Sequence, residues 1–99
     1  MKAKIAYPFT GTLWKHQGAA AWHFISLPKS LSQEIRYLFK SEEQGWGRLQ
    51  AVIRINSTQW EGAIWFDKKQ DTYLLPVRAD VRKLESLTVG DEIFVQLFI

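Results

Sequence analysis

The chain has 99 residues, 46% of them hydrophobic and 23% charged, with five tryptophans and no cysteine. That length suffices for one domain with a real core, and the composition excludes disordered, collagen-like and disulfide-framework classes. The net charge is +3, with residues 1–50 at +4 and residues 51–99 at −1, a weaker basic bias than dedicated nucleic-acid binders carry. The absence of cysteine removes thiolate metal sites as well as disulfides and is compatible with a reducing compartment. The opening MKAKIAYPFTGTLW lacks the unbroken apolar run of a signal peptide, and no stretch approaches the ~20 apolar residues that span a bilayer. A cytoplasmic protein without a membrane partner is expected.

Ile5, Tyr7, Phe9 and Leu13 alternate with Lys4, Ala6, Pro8 and Thr12, the period of a half-buried strand. Pro8 offers no amide to a ladder, which predicts an edge or a bulge there. His16-Gln17-Gly18 reads as a turn, and Ala21 to Leu27 as a second strand stopped by Pro28. Ser30-Leu31-Ser32-Gln33 fits a capping box, followed by a helix whose apolar face is Leu31, Ile35, Leu38 and Phe39. That helix is predicted to stop near Ser41, with a loop over Glu42 to Gly47. Leu49, Ala51, Ile53 and Ile55 then alternate as a third strand, and Asn56 to Gln59 turns the chain. Trp60 to Asp67 alternates as a fourth strand, Lys68 to Asp71 turns, and Thr72 to Leu75 is a short strand ending at Pro76. A helix around Ala79 to Glu85, a turn over Leu87 to Asp91 and a strand from Glu92 to Phe98 complete the chain.

FISLP, a helix and a strand recur as YLLP, a helix and a strand. The expected fold is therefore mainly β: a single domain over residues 1–99, a small closed or double-split β-barrel of about six strands with two short helices and pseudo-twofold halves. The segments FTGTLW, WHFISLP, AVIRIN, YLLPVRADVRK and LTVGDEIFVQL resemble the small bacterial family known as domain of unknown function 1905, in unbroken order over nearly the whole chain. The resemblance implies a compact double-split barrel and no established activity. The closing block is also similar to the swapped-hairpin half of AbrB/MazE-type regulators at Pro76, Arg82 and the Gly90-Asp91 turn. Those proteins build a related barrel from two chains and bind DNA, whereas this chain supplies both halves.

Nothing in the sequence names a catalytic group or a cofactor. His16 falls in a turn and His23 in a strand, with no carboxylate at metal-ligand spacing beside either, so neither a metal site nor acid–base chemistry is expected. Asp91 and Glu92 are neighbours in or beside a strand and point to opposite faces, so Asp91 reads as a turn residue. GWG at Gly45 to Gly47 has no following helix and makes no phosphate loop.

Two surfaces remain. Strand phase places Trp14, Trp65, Phe94 and Phe98 on the outside of the barrel, where the two helices are expected to cover part of them. A non-enzymatic binding module is thus expected, taking a protein or small-molecule partner on an aromatic surface or groove near Trp22, Trp46, Trp60 and Trp65, as a monomer or weak homodimer. The alternative is nucleic-acid binding through a basic helix face, with Lys29, Arg36 and Lys40 around the first helix and Arg78, Arg82 and Lys83 on the second. Asp80, Glu85 and Glu34 on the same helices fit a plain solvated surface as well.

Overall fold

The computed structural model describes residues 4–18 and 20–99. Its strands are β1 (Ala6–Lys15), β2 (His23–Ser26), β3 (Arg48–Ile55), β4 (Thr58–Asp67), β5 (Thr72–Pro76) and β6 (Glu92–Phe98). Helix α1 (Lys29–Phe39) follows β2 and helix α2 (Ala79–Leu84) follows β5, with short 3-10 turns at Lys40–Glu42 and Gly45–Gly47. All pairings are antiparallel, and the order β1-β2-β5-β4-β3-β6 closes on itself. Exchanging β1, β2 and β3 for β4, β5 and β6 leaves that closed order unchanged. The expected twofold topology follows directly: β2–β5 and β3–β6 are the two ladders that map onto themselves.

One side-chain phase of each strand fills the interior, as closure requires. Tyr7, Phe9, Leu13, Ile25, Ile53, Ile64, Tyr73, Leu75, Val95 and Leu97 are all buried there. Ile35 of α1 and Val81 of α2 add to the same core. Because β2 and β5 run antiparallel, α1 and α2 leave the sheet at opposite barrel ends and plug those ends. They do not lie over the outer strand surfaces. Leu84 of α2 is accordingly 72% exposed, and Leu38, on the predicted apolar face of the first helix, is exposed too.

Pro8 sits within the β1–β6 ladder opposite Gln96. Ile5 and Ile99 exchange both backbone hydrogen bonds, at 2.8 and 3.0 Å, so the odd residues of β1 are those whose amides face β6. Pro8 therefore directs its missing amide to the other side, where β2 pairs only with Leu13 to Lys15. The predicted edge is this local split between β1 and β2.

Three local expectations are corrected. The second strand, His23–Ser26, is shorter than Ala21 to Leu27. Leu27 still donates its amide to the Tyr73 carbonyl at 3.0 Å in the register of the β2–β5 ladder, but the Tyr73 amide goes to Ser32 Oγ and the pairing ends there. The Ser30–Gln33 capping box does not form; Pro28 occupies the N-cap, without a side-chain cap, and the helix starts at Lys29. The turn predicted over Asn56 to Gln59 is tighter, with Ile55 paired to Thr58 and Asn56 at φ +52. Asn56 Nδ2 donates to Glu85 at 2.9 Å, and the Ser57 and Thr58 hydroxyls donate to the same carboxylate. These donors, Thr58 foremost, hold Glu85 below the usual carboxylate range and tie the β3–β4 turn to the end of α2.

Candidate ligand-binding surface

With both helices at the ends, the outer face of β1, β2, β5 and β4 lies open. Trp14 stands directly opposite Phe24, Phe24 opposite Pro76, and Trp65 opposite Leu74, all in the outward phase. Trp22, just before β2, lays its ring parallel to Phe24, with centroids 5.9 Å apart and planes 7° from parallel. Trp65 approaches Trp22 to 6.1 Å, and Trp14 approaches Phe24 to 5.2 Å. His16 lies 6.4 Å from both Trp14 and Phe24. The Trp14 indole donates to Ser26 Oγ at 2.9 Å, which fixes the direction of that ring. Trp22 is 46% exposed and Trp65 40%, so two large rings of this run face water. Exposed aromatic area of that kind favours contact with something else.

A cavity of about 350 Å³ opens beside Trp22, at the barrel end carrying α2. Its wall includes Trp22, His23, Pro76, Val77, Arg78 and Arg82. His23 Nδ1 lies 2.9 Å from the Ala21 carbonyl, an acceptor only, so Nδ1 carries the proton. His23 Nε2 is then free to accept from Arg82 Nη1 at 3.3 Å, while Arg82 Nε donates to the Val77 carbonyl at 3.2 Å. Arg78 Nε pairs with Asp80 at 3.3 Å, in the open.

Of the four tryptophans singled out in the sequence, only Trp22 and Trp65 come together. Trp60 is opposite Ile53 in the inward phase and packs against the core. Trp46 stands near the opposite end, beside a cavity with Arg36, Glu43, Phe66 and Lys68, and is 95% exposed. A single groove through all four is not formed. The single basic face is not formed either, since Lys29, Arg36 and Lys40 belong to the α1 end and Arg78, Arg82 and Lys83 to the α2 end. Arg36 is further engaged, its guanidinium lying 3.6 Å from the centre of the Phe66 ring. Phe24 and the cavity at the β5–α2 junction were missed. Phe24 was available from parity, because it alternates with Ile25.

Among the described residues, no three His, Asp or Glu side chains come together as a metal site. Asp91 accepts the Thr88 amide at 2.8 Å and holds its own turn. No helix among the described residues is long and apolar enough to cross a membrane.

Trp46 adopts φ +69, ψ +22, a left-handed conformation that costs a side-chain-bearing residue roughly 1–2 kcal/mol. Gly47 follows at φ +71, where an added Cβ would lie 3.1 Å from Phe66 Cβ. Trp46→Gly is therefore expected to raise stability by about 1 kcal/mol in urea melts. Trp46→Ala, which keeps the strain and removes a ring with few packing partners, is expected to change it by no more than ~0.5 kcal/mol. A loss well beyond that for Trp46→Ala would make the ring a structural anchor.

No curated protein matches the chain. A family model does, over residues 9–97, which takes in β2 to β5, both helices and most of β1 and β6. The chain thus belongs to the family described as "Domain of unknown function (DUF1905)".

Proposed function

We propose that this barrel is a non-enzymatic binding module whose ligand lies against the outward aromatic face at Trp22 and Trp65. The observation that carries this reading is the run Trp65–Trp22–Phe24–Trp14, whose members Trp22 and Trp65 stay open to water while α2 flanks only its Trp22 end. A β-barrel of this size fills its interior with inward side chains alone, so stability does not call for large rings on the outside. Rigid aromatic side chains lose little conformational entropy on binding, which suits them to contact surfaces.

The five indole N–H groups give a direct test, because each is a separate proton resonance. Planar aromatic fragments at millimolar concentration are expected to shift the Trp22 and Trp65 signals and leave the Trp60 signal in place. Trp22→Ala with Trp65→Thr is expected to abolish those shifts in a protein that still folds by circular dichroism. If no aromatic fragment moves either resonance in the native chain, the reading is wrong.

A second reading, nucleic-acid binding, is favoured by the placement of Arg78 and Arg82 at the edge of the same aromatic face. Aromatic rings beside cations form stacking platforms for single strands. It requires affinity that falls steeply between low and physiological salt and again in Arg78→Gln/Arg82→Gln; no gel shift at low salt excludes it.

A further inference from the structure

The cavity beside Trp22 has a chemistry more specific than the face it adjoins. Its volume of about 350 Å³ is at the small end of the range for ligand pockets, enough for a ring system with one substituent. Trp22 forms one wall, and Pro76, Val77 and Ala79 supply apolar surface. Arg78 and Arg82 bring two guanidiniums, and among the described residues no carboxylate lines the cavity. Asp80, the acidic partner of Arg78, engages it through Nε and also accepts the Val81 amide at 2.8 Å. Arg82 is part-buried and steadied by the Val77 carbonyl and His23 Nε2, which together occupy Nε and one position of Nη1. Its remaining N–H groups are therefore presented in a fixed direction. A guanidinium held in this way binds carboxylate or phosphate oxygens with little further loss of freedom.

Resting on the aromatic-face reading above, we infer that this cavity takes a small planar aromatic anion. The ring lies on Trp22, and a carboxylate or phosphate reaches Arg82 and Arg78. Ring and anion are both needed. An isolated anion meets two arginines already partly satisfied, and a neutral ring leaves them without a new partner.

The experiment uses the full chain, the Trp22 indole resonance and tryptophan fluorescence. The probes are adenosine 5′-monophosphate, indole-3-acetate, adenosine, inorganic phosphate and a short oligothymidylate. At least one of the two aromatic anions is expected to saturate the Trp22 shift, with adenosine and phosphate each weaker by about tenfold or more. Arg78→Gln and Arg82→Gln are each expected to weaken the aromatic anion by about tenfold and leave adenosine unchanged. Because Arg82→Gln also removes a strut from His23, the exposed Arg78→Gln is the cleaner variant. Adenosine binding as tightly as its monophosphate, or either aromatic anion binding both arginine variants as it binds the native chain, overturns the anion assignment while the aromatic-face reading stands. Saturable binding by oligothymidylate with every free probe silent overturns the small-molecule assignment in favour of a strand. Silence from every probe removes the inference and the face reading together.

Discussion

Gly11→Ala is expected to lower the stability of the barrel by about 1–3 kcal/mol, the usual cost of overpacking a filled interior. A Cβ built on Gly11 lies 2.5 Å from Ile25 Cγ2 and 3.0 Å from the Ser26 carbonyl oxygen. The first contact could be eased by rotating Ile25, but Ile25 is fully buried and has little room to turn. The second is backbone and moves only if β2 moves. Gly11 marks the place where β2 parts from β1: Leu13 is still paired with Ile25, while Leu27 is bonded to Tyr73 on β5. A methyl group at this fork pushes β2 outward and strains the β1–β2 and β2–β5 ladders together. Alanine does recover roughly 0.5–1 kcal/mol of backbone entropy relative to glycine, which is too little to offset the clash. In a domain of this size the net loss lowers the melting temperature by roughly 4–8 °C per kcal/mol. Gly45→Ala is the matched control, since nothing lies within 4 Å of its added Cβ. Equal melting temperatures for the two variants would sink the argument.

The fold was legible because its main determinant is alternation, and alternation is local. Parity along each strand separated Ile53 from Arg54 and Ile64 from Trp65, and the barrel then had one inside to fill. The same parity set Trp60 with Ile64 and apart from Trp65, so grouping Trp60 with Trp65 on one surface ran against the strand's own phase. Helix boundaries were less legible because side-chain caps compete with the geometry of the preceding strand. At Pro28 the chain is already committed by the Leu27–Tyr73 hydrogen bond, and Ser30 has no cap to make. Ser32, read as part of that box, instead accepts the Tyr73 amide through its hydroxyl at 3.0 Å. The cavity beside Trp22 was not legible at all. It exists because β2 pairs with β5 and so brings Trp22 to the start of α2, more than fifty residues away in sequence. The helices' positions had the same non-local origin, and they decided which aromatics stay open and which basic residues are kept apart.

Tyr73→Ala carries the largest expected effect, a loss of about 3–5 kcal/mol, as for other large aromatic residues removed from a filled core. Tyr73 is fully buried on β5, with its ring edge-on to Phe66 at 5.1 Å. Its backbone amide bonds Ser32 of α1, its carbonyl bonds Leu27 at the end of β2, and its hydroxyl donates to Glu43 between the two 3-10 turns. Truncation therefore leaves a cavity under α1 and an unpartnered carboxylate together, which is why the upper part of that range is expected. Tyr73→Phe separates the two effects by keeping the ring, and is expected to cost about 1.5–3 kcal/mol, the range for a hydrogen bond to a charged group. Burial, with the Glu43 hydrogen bond and charge, pushes the Tyr73 phenol well above its ordinary value of 10.0. The sign of the linkage follows. The unfolded chain loses this proton near pH 10 and the folded chain keeps it, so the contribution is complete below pH 10 and falls as pH rises past it. Burial, then Glu34, raises Tyr7 in the same direction, so Tyr73→Phe is expected to flatten the alkaline loss without abolishing it. Urea midpoints at pH 9 and pH 11 for the native chain and both variants measure all three quantities. A Tyr73→Ala protein within about 1 kcal/mol of the native chain would show that the ring does not fill the core as its burial implies. An alkaline slope unchanged in Tyr73→Phe would show that the phenol is not the group held protonated.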